Sequence, residues 1–151
     1  MKTIKLTQNQ YAQVDDDLYT PLSMWKWMYH PKGYAYRTDW NSGQKRHIFM
    51  HNEVLAVDNG VDHIDGDGLN NTRKNLRLAT RSQNGANRGK QKNGEGQYKG
   101  TYKNGRLWYA QIWHKGKLYR SGSVPEERQA AWLYDLAAQE LFGKFARLNL
   151  T

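Results

Sequence analysis

The reading turns on Val61-Asp62-His63-Ile64-Asp65-Gly66-Asp67-Gly68-Leu69-Asn70-Asn71, continued by Asn75-Leu76-Arg77 and Arg81-Ser82-Gln83-Asn84. One His, several carboxylates and several carboxamides crowd into little more than twenty residues. Val61-Asp62-His63 ends a short strand and delivers Asp62 and His63 to its tip. Ile64–Lys74 is a polar loop rich in Gly, Asp and Asn. Leu76-Arg77-Leu78-Ala79-Thr80 alternates as a returning strand. Thr80-Arg81-Ser82-Gln83 matches a capping box, so a helix is expected to begin near Arg81, with Asn84 in its first turn. Strand, loop, strand and helix would gather Asp62, His63 and Asn84 around one point.

Those residue types suit phosphodiester hydrolysis. The reaction needs an activated water, charge stabilisation on the phosphate and protonation of the leaving oxygen. A neutral imidazole accepts a proton near pH 7. A carboxylate and a carboxamide oxygen suit a hard divalent cation that keeps water and phosphate as its other ligands. Weaker readings compete at single positions. An Asp–His pair is often a surface contact. Asp65-Gly66-Asp67-Gly68 resembles part of a calcium loop but lacks the full EF-hand spacing and its closing Glu. Asn70-Asn71 could be a plain turn. The joint spacing carries the weight.

With these residues quoted, the chain resembles the HNH nucleases, in the form with Asn in place of the last His, of the phage and intron-encoded homing type. The resemblance implies that His63 is the general base, that Asp62 and Asn84 hold the metal, and that Asn75 pins the loop and helps orient His63. It implies one divalent ion per site, Mg²⁺ with Mn²⁺ able to substitute. Met50-His51 resembles the segment preceding the family motif, which puts His51 near the site without a catalytic role. Several such nucleases carry Cys-x-x-Cys zinc knuckles. This chain has no cysteine, so its scaffold must rely on packing. Disulfides and thiolate zinc sites are excluded.

Outward from this centre, the 151 residues suit small units rather than one deep core: 38% are hydrophobic and mean hydropathy is −0.98. Six Trp, ten Tyr and three Phe supply large rings for small cores. A net charge of +9 favours a polyanion, nucleic acid before membrane. No apolar run approaches a membrane span and the N-terminus has no signal-peptide pattern.

Before the centre, Tyr11–Val14 is a strand candidate. Asp15-Asp16-Asp17 reads as a turn or cap, with Asp17 capping a helix over Leu18–Met24. Trp25, Trp27 and Tyr29 alternate, as do Tyr34 and Tyr36, and turns at His30–Gly33 and Asn41–Gly43 complete a three-stranded meander. The rings are expected to pack in the core or across strands, although stacking on bases is open to them. His47 falls on the strand leading to Met50, and His51–Ala56 reads as a short helix.

After the centre, Gly85–Gln97 reads as a basic, flexible tether. Three strands follow, Tyr98–Lys103, Leu107–His114 and Lys117–Ser123, with turns at Asn104-Gly105 and Lys115-Gly116. Ser123–Glu126 reads as a capping box. The helix it opens has an apolar face of Ala130, Leu133, Tyr134, Ala137, Ala138 and Leu141, and Gly143 ends it. Between Gly96 and Pro125 there are six basic residues and no acidic one.

Tyr98-Lys99-Gly100, Trp108–Ile112, Gly122, Ala130–Asp135 and Phe142–Asn149 resemble the plant Apetala-type, ethylene-response-factor DNA-binding domain. By match of position, Lys99, Tyr102, Trp108, Gln111, Trp113 and Arg120 would face DNA. Lys103, Arg106 and Lys115 join them as basic residues of the same sheet. Tyr, Gln or Trp stands where the plant domain often has Arg or Glu, so its target sequence does not carry over.

The expectation is an α+β chain. An N-terminal antiparallel sheet and a ββα-metal (His-Me finger) core occupy residues 1–88, a basic linker 89–97, and a three-stranded sheet plus helix 98–151. The expected function is site-specific, metal-dependent cleavage of double-stranded DNA in a phage-infected bacterial cytoplasm. The enzyme would act without an obligatory protein partner, as a monomer or weak dimer on DNA. The alternatives are a DNA-binding regulator with a degenerate nuclease core, or an RNA-binding protein.

Overall fold

The computed structural model describes residues 1–41, 43–90 and 96–150, with the backbone alone at Asn41. It is a mixed α/β structure; its described residues form ten strands in four small sheets, and four α-helices. Contacts divide the chain into two compact units, Met1–Thr80 and Arg81–Thr151.

The first unit opens with a hairpin, β1 (Lys2–Lys5) against β2 (Tyr11–Val14). Helix α1 (Asp16–Ser23) follows, one turn earlier than expected and with Asp15 rather than Asp17 at its N-cap. The Asp15 and Asp17 carboxylates are engaged elsewhere. Asp15 Oδ2 accepts the Arg73 backbone N–H at 2.9 Å, and Asp17 pairs with the Arg73 guanidinium at 2.8 Å. Strands β3 (Met28–His30), β4 (Tyr34–Asn41) and β5 (Gln44–Phe49) form the expected antiparallel meander. Helix α2 (Met50–Leu55) ends at Ala56 in the left-handed region.

The core of this unit gathers Ile4, Leu6, Val14, Leu22, Trp27 and Met50. Trp27, one of the alternating aromatics, is almost fully buried, and its indole N–H donates to the Leu22 carbonyl at 2.8 Å. That bond satisfies the one polar atom of a ring that otherwise contributes only apolar burial. The short β6 (Val61–His63) and β7 (Leu76–Leu78) pair antiparallel and close the unit.

In the second unit, α3 (Arg81–Asn87) precedes β8 (Thr101–Asn104), β9 (Leu107–His114), β10 (Lys117–Arg120) and α4 (Glu127–Phe142). Ala86 is buried in the same cluster as Ala110, Ile112, Tyr134, Ala138 and Phe142. Residues 85–87 are therefore helix rather than tether, and the contact division falls at Thr80/Arg81 rather than after Arg88. Of the expected linker 89–97, residues 91–95 lie outside the described residues.

The cap of α4 is Glu126 with Gln129, not Ser123 with Glu126. Val124 is held extended in a bridge to Trp108, with reciprocal backbone bonds of 2.7 Å, which delays the helix. Gly100, at φ +73°, touches Tyr134 so closely that a Cβ would lie 2.2 Å from the ring. Only glycine fits both constraints. Buried Asp135 accepts the backbone N–H groups of Asn149 and Leu150 at 2.8 Å each and so fastens the C-terminal segment to α4. Among the described residues no helix is long and apolar enough to cross a membrane.

Candidate active site

Asp62 and His63 are both buried on β6, at 4% and 5% exposure. Burial of a carboxylate beside an imidazole requires partners. Asp62 has Arg77, its cross-strand neighbour in the β6–β7 register. Arg77 Nε and Nη2 both reach Asp62 Oδ2 at 2.8 Å.

His63 Nε2 lies 3.4 Å from Asn71 Oδ1. A carboxamide oxygen only accepts, so this long contact favours the tautomer with the proton on Nε2 and the lone pair on Nδ1. The His63 ring meets His51 edge-on, centroids 5.0 Å apart, and lies tilted on Tyr34 at 5.9 Å. Burial pushes the His63 pKa below its ordinary value, against the opposing influence of Asn71 and of Asp65, Asp62 and Asp67. His51 is pushed down to about 4 by burial and by the neighbouring His63. Both rings are thus neutral at pH 7.

The loop between the strands is held from within. Asn75 Oδ1 accepts the Asp65 N–H at 3.1 Å, and its Nδ2 donates to Asp65 Oδ1 at 2.9 Å and to the Asn70 carbonyl at 2.8 Å. Asp65 also accepts from the Asp67 backbone and the Asn70 side chain, both at 2.8 Å. Burial would raise the Asp65 pKa, but these donors outweigh it and hold the carboxyl low. Asp65, Asp67 and Asn70 are loop architecture.

Outside ties add to this. Gln13 N–H donates to the Leu69 carbonyl at 2.8 Å, and Asn71 N–H to the Gln13 carbonyl at 2.9 Å. Gly68 lies so close to the Gly33 carbonyl and the Tyr34 ring that a Cβ would stand 2.2 and 2.5 Å from them.

Asn75 therefore fastens the loop, while the side chain that touches His63 is Asn71. The sequence gives little warning of this: Asn70 and Asn71 are identical neighbours, and only Asn71 is fully buried. Arg77 as the partner of Asp62 was equally unmarked, and its one signal is its place opposite Asp62 in the hairpin. Asn84 lies on α3 of the second unit.

Among the described residues no group of three His, Asp or Glu could hold a metal ion. An all-protein cage is thus not offered. A carboxylate with a carboxamide oxygen still fits a hard cation that keeps most of its water and phosphate ligands.

In the second unit the alternation along β9 sorts the nine expected DNA-facing residues. Ala110 and Ile112 are buried with α4 in the core, so Tyr109, Gln111 and Trp113 take the opposite face. Tyr102 pairs with Tyr109, Arg120 with Gln111, and Leu118 with Trp113. Tyr102 stacks on Tyr109 at 5.7 Å, and the Arg120 guanidinium sits 3.6 Å over the Tyr109 ring. Arg106 and Lys115 occupy the turns.

Three residues depart from expectation. Trp108 is in phase with Ala110, so it and Lys103, which lies 5.6 Å over its ring, are on the helix side. Lys99 donates to the Ala86 carbonyl, packs over Tyr134, and is pushed down to about 8 by burial and the Arg147 charge. Tyr109 was missed, although it alternates with Gln111 and Trp113.

The arrangement is that of a nuclease site: a neutral buried imidazole at a strand tip, beside a carboxylate, on a loop pinned by carboxamides. The HNH endonuclease family matches residues 56–86, which span β6, the loop, β7 and most of α3. A protein of Acanthamoeba polyphaga mimivirus, named as an uncharacterized HNH endonuclease, is 36% identical over 143 residues, covering 92% of this chain and 74% of its own length. The chain belongs to the HNH endonuclease family and is a nuclease. No solved structure matches it.

Proposed function

We propose that the enzyme is a metal-dependent endonuclease that hydrolyses double-stranded DNA at specific sites, in the manner of homing nucleases. The observation that carries this reading is His63, buried, neutral and held by Asn71 beside Asp62.

His63 Nδ1 takes the proton from a water as the water oxygen forms its bond to phosphorus. The P–O bond to the leaving oxygen breaks, and that oxygen acquires a proton from solvent. Asn71 fixes the ring so that the lone pair keeps one direction throughout. Asn75 fixes the loop that carries Asn71. Asp62 and Asn84 would hold one divalent ion, Mg²⁺ with Mn²⁺ able to substitute, which when bound stabilises charge on the leaving oxygen. Arg77 keeps the Asp62 carboxylate ionised and in place.

The Apetala-type resemblance of residues 98–149 assigns the second unit to DNA binding. Tyr102, Gln111, Trp113 and Arg120 on the open face, with Arg106 and Lys115 in the turns, would meet the duplex. Lys103, on the helix side, is left to reach a phosphate from the sheet edge. Lys99 and Trp108 serve the packing of the unit instead. The similarity to a viral protein supports a role in an infected host cell, and nothing in the mechanism calls for a protein partner.

Cleavage of supercoiled plasmid with Mg²⁺, with Mn²⁺ and with excess chelator tests the proposal. Conversion to nicked or linear DNA with either ion, and none with chelator, is expected. Equal cutting in chelator would overturn the metal assignment, and binding without cutting under all conditions would favour a DNA-binding regulator.

A further inference from the structure

The β3–β4–β5 sheet has one face on the core, where Ala35 is fully buried and Arg37 reaches Glu53 of α2. Its other face is set by the register, which pairs His30 with Tyr34, Tyr36 with Phe49, and Trp40 with Lys45. No carboxylate stands on that face; Asp39 is on the core side, opposite Arg46.

A continuous row of rings runs over it, beginning at the catalytic histidine. His63 touches Tyr34 at 5.9 Å, Tyr34 touches Phe49 at 6.1 Å, Phe49 touches Tyr36 at 6.2 Å, and Tyr36 touches His47 at 4.8 Å. His30 joins at Tyr36, at 5.5 Å. Four of the five histidines of the chain belong to this row or to His51 beside it. Beyond the row Trp40 is 70% exposed, with Lys45 Nζ 6.0 Å from its ring. The rings are half-exposed or exposed, and the core of the unit, on the opposite face, is complete without them.

We infer that this ring row is a second DNA-binding track, which takes the strand flanking the scissile phosphate and packs its sugars and bases on Tyr36, His47 and Trp40. Its ligand rests on the nuclease reading above. Continuity with His63 supplies the occupant: a strand whose phosphate lies at His63 must leave the site over some neighbouring surface, and this one is free of like charge. The reach is sufficient. A strand advances about 3.4 Å per nucleotide, and four ring-to-ring steps of 4.8 to 6.2 Å cover several nucleotides.

Charge distribution fixes the kind of contact. Residues 81–151 hold 13 of the 23 Lys and Arg but only 5 of the 14 acidic residues, which leaves residues 1–80 nearly neutral. The row therefore works by stacking and short-range hydrogen bonds rather than by counterion release.

The test is binding of the full-length protein to a labelled 30-base-pair duplex of arbitrary sequence, read by fluorescence anisotropy across a salt series. Tyr36→Ala with His47→Ala is expected to weaken binding by about tenfold or more with the salt slope unchanged, since ring-to-base contacts are worth about 1–3 kcal/mol each. Tyr36→Phe with His47→Tyr keeps the rings and is expected to restore affinity. Trp40→Ala, at an exposed position that cannot disturb the core, decides the matter should the double variant unfold. Unchanged affinity in the alanine variants would overturn the inference. So would a loss accompanied by a shallower salt slope, which would make the contact one of charge. Failure of wild type to cut DNA would count against the nuclease reading alone, because the track is read by binding.

Discussion

Asp62 and His63 were legible from their types and adjacency, because few other pairs serve both base and ligand. Their partners were not. Asn71 and Arg77 reveal themselves only when the hairpin closes, which sets one against His63 and the other against Asp62. Asn71→Ala should lower kcat of plasmid cleavage by about tenfold with KM little changed, since one aligning contact of about 1–1.5 kcal/mol is lost. A fall as small as twofold would mean that the ring is aligned by its aromatic neighbours. His51 makes a separate prediction in stability. Its folded pKa is about 4 against an ordinary 6.5, so the unfolded chain takes up the proton first as pH falls. Stability is full above about 6.5 and is lost between there and about 4, on the order of 3 kcal/mol in all. Urea unfolding at pH 7.5 and 4.5 should show that loss in wild type and a smaller one in His51→Phe. Equal losses in the two would remove His51 as the cause.

Period-two aromatics located the meander at the level of elements, and the turn signals placed β8–β10 close to where they lie. The helix starts were less legible. Asp15, Asp16 and Asp17 are equivalent by residue type, and only the pull of Arg73 on two of them selects the cap. Ser123 matched a capping box but lies beside a bridge that keeps Val124 extended. The loop after β6 is the most tightly specified element. Gly68→Ala would force a methyl against the Gly33 carbonyl and the Tyr34 ring. The variant is expected to melt several degrees lower and to lose most of its cutting, because the loop carries Asn71 and the ring carries the start of the aromatic row. Wild-type melting together with wild-type cutting would show that the loop relaxes without cost.

Composition foretold small units and a polyanionic partner for the whole molecule, but not how charge and rings are shared between the units. The basic excess is in residues 81–151, while the candidate base and the ring row are in residues 1–80. Binding strength and chemistry are thereby assigned to different parts of one chain. Deleting residues 98–151 is expected to weaken duplex binding at least tenfold and to flatten its salt dependence, because phosphate contacts are lost. Unchanged affinity would place the electrostatic grip elsewhere. The boundary itself was not legible, because α3 continues the family motif in sequence while Ala86 is buried in the second core. All of this depends on His63 being the base. The most direct measurement is single-turnover cleavage of supercoiled plasmid with Mg²⁺ by wild type and His63→Ala, with duplex binding measured on the same preparations. The account predicts equal binding and a loss of cutting of about 10²-fold or more in the variant. Cutting by His63→Ala at the wild-type rate would contradict it.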